Sequence, residues 1–361
     1  MEFKAPLQDI KAALDVARFT GSVGAPVLTT LHIALTNGVA EFTGFDGETG
    51  ARTSVKVSSG KSGAGLLPRS AVEYINALPS GDVELVFTTS NVKITCGSLS
   101  ATMRSDDPAN YPKVPFADND GVDLSAAELR SGIKQVRAAA APAGSTRVSL
   151  SGVLFESVNG EFRLVSTDSY RLAVVSMPNS PLQDGLRVTV PIRAIGELER
   201  MLTRADKVTV RMTPQNVCFE LGNVKLTTRL IAEQFPNYAA IIPAPSAPVT
   251  VKASSSEILE SIKRLKIVAS KENRSVKVSS TNGKLTITAA SAFGDSASEP
   301  VNATISGKMP DFAVNVDYLA DAVSALSSDE ICLSIHDPLK PLLMTRPGDD
   351  SSKQIMMPVR V

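Results

Sequence analysis

Tryptophan is absent from this 361-residue chain, and tyrosine (5) and phenylalanine (12) are sparse. A protein that stacks nucleobases on aromatic platforms draws on more of them. There are two histidines, His32 and His336, and three cysteines, Cys96, Cys218 and Cys332. The histidines lie in separate alternating runs, TTLHIAL and LSIHDP, too far apart for metal-ligand spacing. They read as structural side chains. The cysteines are odd in number, form no C-x-x-C pair and have no local histidine, so they read as free thiols of a reducing compartment, the cytoplasm. No apolar run approaches the ~18 residues of a membrane span. The start MEFKAPLQDI has early acids and no apolar centre, unlike a secretory signal. Net charge is missing too, with 37 basic and 37 acidic residues. That argues against a protein whose main hold on nucleic acid is a basic face. No P-loop, no G-x-G-x-x-G ahead of a helix and no G-x-S-x-G elbow occurs. No catalytic residue, metal or cofactor is therefore expected.

What the chain does have is repetition. Hydrophobic residues make up 43%, enough for real cores, and the length suits two or three domains. Asn-Gly occurs at Asn37-Gly38, Asn159-Gly160 and Asn282-Gly283, at intervals of 122 and 123 residues. Each pair lies between two alternating runs, which is the strongest short-range signal for a hairpin with a type I′ turn. Asp46 and Asp168 follow at the same interval, where the third repeat has Ala290-Ser291. Amphipathic helical spacing recurs at Ile10, Leu14 and Ala17, at Leu129, Ile133 and Val136, and at Ile258, Ile262 and Leu265. Ser125 and Ser254–Ser256 precede the second and third of these as candidate N-caps. A second helix per repeat is expected from PRSAVEYINAL, PIRAIGELERML and NVDYLADAVSAL. The helical stretches are expected over 7–18, 68–78, 124–140, 191–204, 253–274 and 315–326, and together they are slightly basic. Proline-rich joins at 111–121 and 241–249 mark boundaries. The fold class is α+β, with three tandem similar domains at 1–117, 118–245 and 246–361. Each is expected to pack two helices on antiparallel sheet.

Two carboxylate features invite a chemical reading. Asp46 with Glu48 forms an acid pair on paper, yet its recurrence as Asp168 favours a turn-capping role. Gly348-Asp349-Asp350 suggests a metal, but its setting TRPGDDSSK reads as an exposed loop. An enzyme working at Asp46 or Asp168, and a peptide-binding scaffold without DNA, are the rival classes.

Four segments carry a closer likeness: SGVLFES from Ser151, STDSYRLAVVSMP from Ser166, QFPNYAAIIP from Gln234 and IMMPVRV from Ile355. In this order and spacing the chain resembles the bacterial sliding clamps, the β subunits of the replicative DNA polymerase. The resemblance implies the DNA-clamp fold and a head-to-tail homodimer closed into a ring. Helices would line the hole and sheets would form the wall. The ring would encircle and slide on duplex DNA and would tether the replicative polymerase. A separate ATP-driven loader would open it. The family also implies a groove for a short apolar motif of partner proteins. Its matching positions here are Leu150, Thr167, Ser169, Tyr170, Arg171, Leu172, Pro236, Ala240 and Ile241. The third domain would add Asn315, Tyr318, Leu339, Pro341, Ile355, Met357, Pro358 and Val359. Departures include Ser169 where the family often has glycine, Ala240 where a basic residue is common, and Val148-Ser149 in place of an aromatic pair. Lys11, Arg69, Arg137 and Arg193 are the implied DNA-facing residues. Ala101 and Met103 are expected to meet Ile267 and Val268 of a second copy.

Overall fold

The computed structural model describes residues 1–18, 26–244, 246–269, 274–281 and 283–359. Asn282, residues 270–273 at the end of the expected fifth helix, and the final Arg360-Val361 lie outside the described residues.

The same order of elements recurs. The first repeat runs β1 (Glu2–Pro6), α1 (Leu7–Val16), β2 (Thr30–Thr36), β3 (Val39–Phe45), β4 (Thr49–Lys56), β5 (Ser59–Lys61), β6 (Gly63–Pro68), α2 (Arg69–Ala77), β7 (Asp82–Phe87), β8 (Asn91–Cys96) and β9 (Leu99–Arg104). The second runs β10 (Val122–Ser125), α3 (Ala126–Val136), β11 (Gly152–Val158), β12 (Glu161–Thr167), β13 (Arg171–Pro178), β14 (Arg187–Pro191), α4 (Ile192–Met201), β15 (Lys207–Met212), β16 (Asn216–Leu221) and β17 (Val224–Arg229). The third runs β18 (Val249–Ser254), α5 (Ser255–Val268), β19 (Ser275–Thr281), β20 (Lys284–Ala290), β21 (Ser296–Val301), β22 (Ala303–Ser306), β23 (Phe312–Asn315), α6 (Val316–Leu326), β24 (Glu330–Ile335), β25 (Leu342–Arg346) and β26 (Asp349–Met356).

Local chemistry explains the repeated parts. Asn37 and Gly38 adopt φ of 50° and 74°, and Asn159 and Gly160 adopt 53° and 76°. Positive φ at both positions is what a type I′ turn demands, and it twists the flanking strands correctly. Asp46 Oδ1 accepts from the amides of Glu48 and Thr49, at 3.0 and 2.7 Å. Asp168 Oδ1 accepts from Tyr170 and Arg171, at 2.9 and 3.0 Å. Both aspartates thus hold a corner between strands. Ser291 Oγ takes the role in the third repeat, accepting from Phe293 and Asp295. Ser254 caps α5 by accepting from Glu257 N.

Three expectations are corrected. Each repeat opens with a strand, not a helix. That strand pairs with the one after the second helix, as β1–β7, β10–β15 and β18–β24. The α-helix at 124–140 ends at Val136, followed by a 3₁₀ turn over Arg137–Ala139. The stretch around Gly348-Asp349-Asp350 is no loop: Gly348, at φ 74°, turns the β25–β26 hairpin, and Asp349 pairs with Arg346 across it. The bond to Ser351 and the Arg346 guanidinium hold the Asp349 carboxyl down at about 2. Among the described residues no group of three or more His, Cys, Asp or Glu has metal-binding geometry, and no helix is long and apolar enough to cross a membrane.

By its contacts the chain forms two compact units. One comprises residues 1–126 and 201–230. It holds a five-stranded sheet, β5-β1-β7-β8-β9, and an eight-stranded sheet, β10-β15-β16-β17-β4-β3-β2-β6. Its core gathers Phe3, Ile10, Leu14, Ile33, Phe42, Leu67, Ile75 and Leu85, with Phe3 and Phe42 edge to face at 6.2 Å. The other comprises residues 127–200 and 231–361. It holds a nine-stranded sheet, β14-β11-β12-β13-β26-β25-β24-β18-β22, and a four-stranded sheet, β21-β20-β19-β23. Ile258, Ile262, Leu265, Ile287, Leu319 and Leu333 lie in its larger core.

The sheet orders follow one rule. The third strand of a repeat's first sheet pairs with the last strand of the next repeat's second sheet. This gives β4–β17 inside the eight-stranded sheet and β13–β26 inside the nine-stranded one. Continued, the rule leaves β21 and β9 as sheet edges.

Candidate functional site

An apolar groove lies beside the β13–β26 joint. Its volume is about 500 Å³, and it opens to solvent. Leu150, Leu172, Pro236, Tyr238, Ile241, Pro341, Ile355 and Met357 supply apolar walls. Arg147, Ser149, Thr167, Ser169, Tyr170, Arg171, Gln234 and Asn237 complete the lining.

The Asp168 corner builds one wall. Thr167 Oγ1 donates to Arg171 O at 2.6 Å and accepts from Ser169 N at 3.2 Å. Ser169 is held at φ 84°, a left-handed conformation unusual for a side chain other than glycine. Arg147 donates to its hydroxyl at 2.6 Å. Tyr170 is left 64% exposed at the groove mouth. Arg171 is spent on structure. Its Nε donates to Asp168 Oδ2 at 2.9 Å, its Nη1 to Asp321 at 2.6 Å, and its guanidinium lies 4.3 Å from the Tyr318 ring centre. It therefore ties β13 to α6. The chain's end follows the same wall, with Met357 N donating to Tyr170 O and Val359 N to Ala313 O.

Eleven expected groove residues are brought together: Leu150, Thr167, Ser169, Tyr170, Arg171, Leu172, Pro236, Ile241, Pro341, Ile355 and Met357. Six are not in the lining. Asn315 caps α6, and Tyr318 lies under Arg171. Val359 N donates to Ala313 O, Leu339 is exposed, and Ala240 and Pro358 stand outside. Arg147, Ser149, Gln234, Asn237 and Tyr238 were missed. The last three lie in the QFPNY segment, of which only Pro236 was singled out. Ser149 N donates to Glu233 Oε2 at 3.0 Å, which fixes the short turn ahead of Leu150.

Two family models match in tandem. They describe the central domain of the DNA polymerase III beta subunit, over residues 123–237, and its C-terminal domain, over 240–360. The chain belongs to the DNA polymerase III beta subunit family. A beta sliding clamp from Staphylococcus aureus (strain Mu50) is 26% identical over 349 residues, 93% of this chain and 92% of that protein. One from Synechococcus elongatus is 27% identical over 348 residues, with the same coverage. The sliding clamp from Bartonella birtlesii, solved bound to griselimycin, superposes with a TM-score of 0.94 at 25% identity and full coverage of both chains. The clamp from Pseudomonas aeruginosa bound to griselimycin gives 0.94 at 24%, again over both whole chains. The function is the family's: a processivity factor in DNA replication.

The remaining expected clamp residues lie apart from the groove. Lys11 on α1 donates to Leu78 O at 3.0 Å. Arg69 on α2 pairs with Glu73 and Arg137 with Glu199, at 3.1 and 2.7 Å. Arg193 is exposed on α4. Ala101 and Met103 lie on the edge strand β9, and Met103 leans on its own core. Ile267 is 84% exposed near the end of α5, beside the half-buried Val268.

Proposed function

We propose that two copies of this chain close head to tail into a ring that encircles duplex DNA and slides on it without sequence preference. The observation that carries this reading is the joint rule. Within one chain it is applied twice, and it leaves β21 and β9 as sheet edges. Antiparallel pairing of β9 with β21 of a second copy would repeat the rule and cover both edges, which otherwise invite uncontrolled association. In this reading the chain divides into domains at 1–117, 118–245 and 246–361. Ala101 and Met103 meet Ile267 and Val268 across the seam.

The charge balance suits a topological hold. Lys11, Arg69, Arg137 and Arg193 face the DNA; Lys11 also donates to a backbone carbonyl, and Arg69 and Arg137 pair with carboxylates of the chain. A chain of zero net charge releases few counterions on binding and so grips weakly. Enclosure supplies the retention, and weak contacts permit sliding. The groove tethers the replicative polymerase, an ATP-driven loader and other proteins that carry a short apolar motif. A bound polymerase then stays at high effective concentration near the primer end. The chain acts in the cytoplasm, without membrane, metal or cofactor, and catalyses no reaction.

Native mass by light scattering tests the ring. The monomer is 38.0 kDa, and twice that mass is expected at low micromolar concentration. Retention on circular DNA that is lost on linearising it is the companion result. A clean monomer that elutes freely from circles would replace the ring with a peptide-binding scaffold.

A further inference from the structure

The two sequence runs SGVLFES and QFPNYAAIIP meet behind the groove. Glu156 on β11 is 8% exposed. One of its carboxylate oxygens accepts from the Tyr238 hydroxyl and the other from Arg187 Nη1 of β14. Arg187 Nη2 donates onward to the carbonyls of Phe235 and Pro236, at 3.3 and 3.2 Å. Residues 234–237 belong to no strand or helix, so ladder bonds do not hold them. Their position rests on two anchors. Phe235 and Tyr238 sink into a small core with Leu154, Leu172 and Ile355, and the Glu156–Arg187 pair grips the backbone and the phenol from behind. A buried carboxylate engaged on both oxygens is geometrically demanding, and Arg offers the planar fork that can serve a carboxylate and two carbonyls at once.

We propose that Glu156 and Arg187 are positioning residues of the groove: they set the distance between its Pro236–Tyr238 wall and its Leu172–Ile355 floor, and so its affinity for an apolar ligand, without touching that ligand. The proposal rests on the groove reading above. Griselimycin, bound by two of the related clamps, serves as the probe, titrated calorimetrically into the full-length protein. Tyr238→Phe removes one hydroxyl and keeps the ring. Glu156→Gln keeps the shape and loses the charge. Each is expected to weaken griselimycin about 5–20-fold, part of the roughly 10–150-fold that a hydrogen bond to a charged group represents, because the linkage acts on the ligand only through the wall. The double variant should lose much less than the product of the two, because both break one linkage. Ile287→Val, in the larger core away from the groove, supplies the control. It should lower the unfolding midpoint and leave griselimycin affinity unchanged, which separates positioning from general destabilisation. Wild-type affinity in both Tyr238→Phe and Glu156→Gln would overturn the proposal and leave the groove standing. An equal loss in Ile287→Val would also overturn it. Failure of the wild-type protein to bind griselimycin at all would overturn the groove reading itself.

Discussion

The two joints between repeats are built alike and end differently. At β4–β17, Gly50 stands opposite Thr227, and the linker after Tyr111 lies down on it. A Cβ on Gly50 would come within 2.6 Å of Val114 Cγ1. Thr227 Oγ1 donates to Pro115 O at 2.8 Å, and the Arg52 guanidinium lies 4.4 Å from the Phe116 ring centre. The chain has filled its own joint. At β13–β26, the position of Gly50 is taken by Leu172, 122 residues on. The corresponding linker turns into a 3₁₀ segment at Tyr238–Ile241 and stands as a wall. A groove of about 500 Å³ remains. The difference teaches that a groove here needs no special residue of its own. It arises when a repeated joint is left without its strap.

The largest expected effect concerns the third joint, the one two chains would have to share. Ile267→Glu places a charge where an apolar contact is proposed, on a side chain that is 84% exposed and so costs the monomer little. Dimer dissociation should rise about 1000-fold, the scale of losing an interface hot spot. Sedimentation at low micromolar protein should show the mass fall to 38.0 kDa. An unshifted dimer would remove Ile267 from the seam.

The two internal joints should then part company under matched substitutions. Met357→Lys puts an ammonium at the mouth of the open groove. Griselimycin binding is expected to weaken at least 10–100-fold by calorimetry, while the half-exposed position keeps stability within about 0.5 kcal/mol. Val114→Ala, at the filled joint, should do the reverse. It should cost about 2 kcal/mol in denaturant unfolding, for lost burial and the hollow left over Gly50, and leave griselimycin affinity unmoved. If Val114→Ala weakened griselimycin as much as Met357→Lys, the contrast between the joints would be lost.

Much of this was legible in the sequence because it is local. Asn-Gly, the Asp46 and Asp168 corners, and the spacing of Leu129, Ile133 and Val136 each act within a few residues. The opening strands β1, β10 and β18 were not legible. They are four to six residues long and are held by partners about 80 residues away. The second hairpins turn at Gly97, Gly222 and Gly348, each at positive φ, yet their neighbours Ser98, Asn223 and Pro347 share no motif. The joints pair strands some 180 residues apart, beyond any periodicity. Most of the groove came from family resemblance. Tyr238 lay unrecognised within a quoted segment, because its partner Glu156 sits in a strand that reads as plain core.

The smallest effect compares the two tyrosines that begin the linkers. Tyr111 donates to Thr43 O at 3.3 Å beside the His32 ring, and burial pushes its phenol well above the ordinary value. Tyr238 is pushed up to about 12, first by burial and then by its bond to Glu156. An unfolded tyrosine ionises near 10. Because the fold favours the neutral phenol, the stability that Tyr238 contributes is fully present below about pH 10. It is lost as pH climbs from there through 12. Tyr238→Phe should therefore flatten part of the alkaline decline in a urea-unfolding series and leave the part due to Tyr111. The phenolate absorbance difference between wild type and variant should appear with a midpoint near 12. A midpoint near 10 in the native protein would mean that Tyr238 is not held against Glu156. The open joint would then lack the rear anchor that distinguishes its wall from a slack loop.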